Sequence, residues 1–141
     1  MKHFLKENPD VVRAIHPFYN QTALHIASIS GRFRVVEELV SKMREEDLEI
    51  RAANGYTALA ISTISGDSRI AECMVRRNKK IVSVPDDILE FIPLEFALLH
   101  GHKEMSRYLY SVTPLEALLR EEGKHGATVI TYCIYLQCYG K

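Results

Sequence analysis

The chain has 141 residues, enough for one ordinary domain whose core stands without disulfides. Lys plus Arg equals Asp plus Glu at 18 each, a balance that argues against a nucleic-acid binder, whose affinity rests on surplus cations facing phosphate. The apolar share of 47% argues for a folded chain, and the three cysteines, Cys73, Cys133 and Cys138, form no CxxC pair and read as reduced thiols of a cytoplasmic protein.

The opening residues MKHFLKENPD lack the apolar core of a secretory signal. A short helix is predicted to open at Thr22 in the run Thr22-Ala23-Leu24-His25-Ile26-Ala27 and to end at Gly31. The Thr hydroxyl can accept from a first-turn amide, and a glycine ends a helix cheaply because it takes positive φ without a Cβ clash. A second helix follows, with Val35, Val36, Leu39, Val40 and Met43 on one face. The same design returns 35 residues later as Thr57-Ala58-Leu59-Ala60-Ile61-Ser62, Gly66, and Ile70, Ala71, Met74 and Val75. It returns again as Ile92-Pro93-Leu94-Glu95-Phe96-Ala97, Gly101, Met105 and Leu109. Pro93 suits a first helical position, where its missing N–H would be unpaired anyway. Ala27, Ser62 and Ala97 share one repeat position, which predicts close helix approach there.

A single helix pair has too little apolar surface to fold alone, so stability must come from stacking neighbours. The expected fold is all-α, a solenoid of about three full helix pairs with partial repeats at both ends. The divisions are 1–16 (a partial repeat, with Phe4-Leu5 in its second helix), 17–51, 52–86, 87–121 and 122–141. Gly126-Ala127-Thr128-Val129-Ile130 reads as the start of one more first helix, and Leu136-Gln137-Cys138-Tyr139-Gly140-Lys141 as leaving the helical pattern, which fits truncation. Ala127 to Tyr139 is too short and too polar to span a bilayer, which takes roughly 20 apolar residues.

The first segment, with its Thr22-to-Ala27 run and Gly31, resembles the ankyrin signature T-P-L-H-x-A followed by Gly, in a family whose usual period is about 33. His25 becomes Ala60 in the second segment and Glu95 in the third, and Thr becomes Ile92 in the third. Glu46 to Ile50, Arg69 to Val75 and Arg107 to Leu115 further resemble a plant family with N-terminal ankyrin repeats and a C-terminal membrane segment, the PGG domain. That resemblance implies stress or defence signalling at the cytoplasmic face of a membrane, for a longer form than this chain.

The ankyrin resemblance implies a protein–protein interaction module, not an enzyme, without cofactor, metal or nucleic acid. It gives His25 a structural part, bridging neighbouring loops through its ring nitrogens. It places loop tips at Phe18, Tyr19 and Gln21, then at Ala53, Asn54 and Tyr56. It places the concave side of the first helices at Ile29 and Ser30, Ile64 and Ser65, and Leu99 and His100. Aromatic residues on such a rim are enriched at binding hot spots, although Phe18 and Tyr56 could equally pack between loops.

The remaining polar features have plain readings. His100 and His102 straddle Gly101 with no third ligand evident, so a closed zinc site is not expected. Cys73 beside Met74 reads as a buried thiol, and Cys133 and Cys138 lack a basic neighbour to hold a thiolate. Arg76, Arg77, Lys79 and Lys80 read as solvated surface at a helix end, with contact to anionic lipid as the alternative. Uncapped terminal repeats predict self-association or fraying.

Overall fold

A computed structural model describes residues 6–139, and their regular structure is all helical, with no strand among them. Three helix pairs follow one another: α1 (Ala23–Ile29) with α2 (Phe33–Lys42), α3 (Ala58–Ser65) with α4 (Ser68–Arg77), and α5 (Pro93–Leu99) with α6 (Lys103–Val112). Helix α7 (Leu115–Tyr139) closes the chain and is broken at residues 120–123, where four successive residues leave helical φ and ψ. The α1–α3–α5–α7 helices pack in one layer and α2–α4–α6 in another, each touching its sequence neighbours. No described helix is long and apolar enough to cross a membrane.

The helix starts follow the residues found there. Thr22 Oγ1 accepts from His25 N–H, and Thr57 Oγ1 from Ala60 N–H. Ile92 has no such oxygen, so the third start is held from the other side, by Glu95 Oε1 accepting Ile92 N–H at 2.9 Å. The helix ends are left-handed as expected at Gly31, Gly66 and Gly101. Gly66 is doubly constrained, because a Cβ there would lie within 2.7 Å of the His102 ring. Ala27, Ser62 and Ala97 are buried, and Leu24, Leu59 and Leu94 are no more than 1% exposed. Burying each such Leu contributes about 1.5–3 kcal/mol before entropy is counted.

Between pairs the chain makes a single 3₁₀ turn at Pro9–Arg13, Glu45–Glu49 and Lys79–Ser83. Polar ties cross from each repeat to the next at nearly the repeat length. Arg13 Nε donates to Asp47 Oδ1, Arg77 Nη2 to Met43 O and Asn78 Nδ2 to Glu45 O. Apolar faces give the stack its cohesion. These directed bonds fix its register, since a slipped repeat would leave buried groups unpaired.

The ends differ in part from expectation. Of the partial repeat 1–16, Phe4-Leu5 lie outside the described residues, and Val12 joins the core from the Pro9–Arg13 turn. At the other end Leu136 to Tyr139 continue the helix, contrary to the expected departure. No glycine stands at 136 to repeat the stop at Gly31, Gly66 and Gly101, so the helix runs on.

Candidate protein-binding surface

Before each first helix the chain forms a finger, spanning residues 16–21, 51–56 and 86–91. Each finger is closed by a backbone bond: His16 N–H to Gln21 O at 2.8 Å, Ala52 N–H to Tyr56 O at 2.9 Å, and Asp86 N–H to Phe91 O at 3.0 Å. Each carries one left-handed residue at the same repeat position, Asn20, Gly55 and Glu90. In the middle finger only glycine fits, because a Cβ on Gly55 would meet the Asp87 side chain at 2.7 Å. Adjacent fingers are joined by Ala53 N–H donating to Asn20 O at 3.1 Å. Arg51 Nη1 donates both to Gly55 O and across to Pro85 O.

The first and third fingers are stiffened from inside by one side chain. Asp86 Oδ2 accepts from Ile88 and Leu89 N–H, and Oδ1 from Phe91 N–H, all within 2.9 Å. His16 Nδ1 accepts from Phe18 and Tyr19 N–H at 3.1 and 3.3 Å, at the same repeat position. A side-chain acceptor that gathers its own following amides holds a turn open against collapse. The residues displayed at the tips are large and apolar: Phe18 and Tyr19 are 80% and 60% exposed, Ile88 and Leu89 68% and 46%. The middle tip, Ala53 and Asn54, is exposed but small.

Behind the fingers, Ile29, Ile64 and Leu99 stand exposed on α1, α3 and α5, with Ser30 and His100 beside them. Gln21, Tyr56 and Ser65 are half-buried. The open choice at the aromatics resolves residue by residue. Phe18 projects into solvent, whereas Tyr56 packs edge-on against Phe96 with ring centroids 5.3 Å apart. An apolar groove of about 150 Å³ runs between α3 and α5, lined by Tyr56, Ala60, Ile64, Leu89, Phe96, Leu99 and His100. It unites Tyr56, Ile64, Leu99 and His100 of the expected site and leaves Phe18, Tyr19, Gln21, Ile29, Ser30, Ala53, Asn54 and Ser65 outside its walls.

Ile88 and Leu89 were missed as third-finger tips in the sequence reading. The 35-residue spacing that relates Phe18 to Ala53 leads on to Ile88, and the spacing from Tyr19 through Asn54 leads to Leu89.

The histidines have positional work. His25 is buried, and Thr22 N–H and Oγ1 both meet its Nδ1, so Nδ1 accepts and Nε2–H donates to Tyr56 O at 3.0 Å. Burial pushes its pKa below the usual histidine range, which keeps the ring neutral. His102 Nε2 lies 3.2 Å from Ile64 O, with its ring against Gly66. Burial, and then its neighbour His102, hold the His100 pKa down as well. Burial and Glu37 raise the Cys73 thiol, the opposite of an activated cysteine. Within the basic run, Arg77 is tied to Met43 O and Arg76 to Glu72, and Lys79 and Lys80 are exposed.

The position of His25 passes to Glu95 in the third pair. Glu95 is fully buried, and His125 Nδ1–H of α7 donates to its Oε1 at 2.5 Å. Glu90 and Lys124 pair on the surface beside it. The carboxylate thus takes over the bridging of neighbouring repeats with a different partner.

Comparison with known proteins agrees with this geometry. The family model described as ankyrin repeats (3 copies) matches residues 1–84. No curated protein matches the chain, so the resemblance to the PGG-domain family finds no counterpart there. The α5–α6 pair lies beyond the matched residues yet repeats the same helix pair, glycine and finger. With the match covering more than half of its length and the helix pairs stacked in sequence order, the chain belongs to the ankyrin-repeat family.

Proposed function

We propose that this chain is a binding scaffold that holds a protein partner on its fingertips and on the exposed face of α1, α3 and α5. The observation that carries the reading is the pair of stiffened fingers. Asp86 and His16 each spend a side chain on the amides of a turn whose tip presents two large apolar residues to solvent. Water-exposed apolar side chains on a pre-formed turn lose little conformational freedom on binding, which is how a rigid surface gains affinity. Aromatic anchors of this kind concentrate binding energy.

The test is substitution without unfolding. Tyr19→Ala combined with Leu89→Ala is expected to weaken partner binding by about 2 kcal/mol or more, on hot-spot magnitudes, while helical circular dichroism stays unchanged. Undiminished capture of the same partner by the folded double variant removes the fingertips from the binding surface.

A further inference from the structure

We propose that the face of α5 covered by residues 124–139 takes the same segment of a second copy of this chain, so that two copies exchange the far half of α7. The inference is independent of the scaffold reading above.

The break in α7 runs against its own sequence. Every residue from 115 to 122 is Leu, Ala, Arg or Glu, which are among the strongest helix formers. Yet Arg120 is extended at ψ 157°, and Glu121, Glu122 and Gly123 follow with φ of 51°, 61° and 80°. Left-handed backbone suits Gly123. It is costly at two glutamates, which lack the short side chain that lets Asn or Asp bond locally there. Glu121 does meet Lys124 at 3.9 Å, but a surface pair of that length is weak in water. The return is also tight, since a Cβ on Gly126 would stand 3.1 Å from Leu118 O.

The bend is therefore held by what residues 124–139 reach when they fold back. His125 Nδ1–H donates to buried Glu95, and Lys124 Nζ lies 2.6 Å from Glu90 Oε2. Tyr132 meets Phe91 edge to face, and Val129 enters the core. On the near half Ala117 and Leu118 are buried. The polar ties and the ring contact join the far half to α5 and to the finger before it. None of them requires the two halves of α7 to belong to one chain. In a pair of copies with residues 120–123 straightened into helix, each far half makes the same bonds on its neighbour, and the left-handed strain leaves both hinges. Exchange of an identical element across a strained hinge is a low-cost route to a dimer. The surface covered is the one the single chain already covers, so a second copy fits it without new complementarity.

Refolding equal amounts of isotope-labelled and unlabelled full chain together at high concentration tests this. The dimer fraction is isolated by size exclusion and treated with a zero-length carbodiimide, which couples Glu90 to Lys124. About half of those crosslinked peptides should join a labelled to an unlabelled segment, the share that random pairing of exchanged copies gives. The dimer should persist on dilution, because return requires both far halves to undock. Gly123→Ala should raise the dimer-to-monomer ratio roughly tenfold, since a Cβ there meets open space but a strained φ, and a dimer relieves two hinges. Glu121→Gly with Glu122→Gly should lower the ratio by a similar factor, because glycine removes the strain from the folded-back form. A dimer absent from both the original chain and Gly123→Ala overturns the proposal. So does a ratio that none of the hinge variants moves. A dimer whose Glu90–Lys124 crosslinks all lie within one isotope overturns it too, and is the outcome for copies joined through the outer face of α7 without exchange.

Discussion

His25 holds the start of α1 to the second finger, and it does so as a neutral ring. Removing it leaves Thr22 N–H and Tyr56 O without that partner in a dry place, at a cost of about 1–3 kcal/mol for His25→Ala by urea denaturation. The sign with pH follows from its lowered pKa. The unfolded chain takes up a proton near the ordinary value of 6.5, while the folded chain resists. The stability this residue contributes is present above about 6.5 and is lost as pH falls below it towards the folded value. His25→Gln should show a shallower loss than the original chain between pH 7 and pH 5, and identical slopes would refute the neutral-ring account. The ankyrin resemblance made the bridging role of His25 legible, because the T-x-x-H spacing brings both groups to one helix start. The roles of His16 and Asp86 were not legible. A side chain that caps its own turn depends on a turn geometry that residue type alone does not reveal.

At the scale of elements, the docking of α7 turns on Glu95 and His125. Removing one member of a buried pair strands the other and typically costs about 3–5 kcal/mol. His125→Ala should therefore speed amide exchange through residues 124–139 while α1 to α4 keep their protection. Uniform exchange across the chain would show that the pair does not hold this helix. Glu95→Gln with His125→Ala should cost less than the two single changes summed, which a double-mutant cycle reads directly. The helix pairs themselves were open to sequence reading, since glycines and leucines recur every 35 residues. The Glu95–His125 pairing was not, because its spacing of 30 is not the repeat length and the last helix sits in a shifted register. For the same reason the continuation through Leu136 to Tyr139 went against expectation: a missing glycine is a weaker signal than a present one. In the third finger, Asp86→Ala should loosen the tip, with faster exchange at Ile88, Leu89 and Phe91 and unchanged exchange in α5.

For the whole molecule, stacked faces supply cohesion, and the proposed recognition surface lies along one edge. The outer face of α7 differs from the rest. Residues 126–139 contain no charged side chain, and Ile130, Ile134 and Tyr135 on α7 are more than half exposed. A charge-free face of this kind favours association, and the expected outcome is concentration-dependent mass by light scattering. Ile130→Lys with Ile134→Lys should return it to the monomer value. A constant monomer mass for the original chain at high concentration would contradict the expectation. The proposed recognition surface lies elsewhere, on the fingers and the α1–α3–α5 face, and its position can be tested without knowing the partner in advance. A photo-crosslinking amino acid at Leu89 should yield a covalent adduct with a protein partner in cells that express the chain, while the same group at Glu37 or Arg107 in the α2–α4–α6 layer yields none. Adducts from Glu37 or Arg107 with none from Leu89 would put the binding surface on the opposite layer and contradict the account.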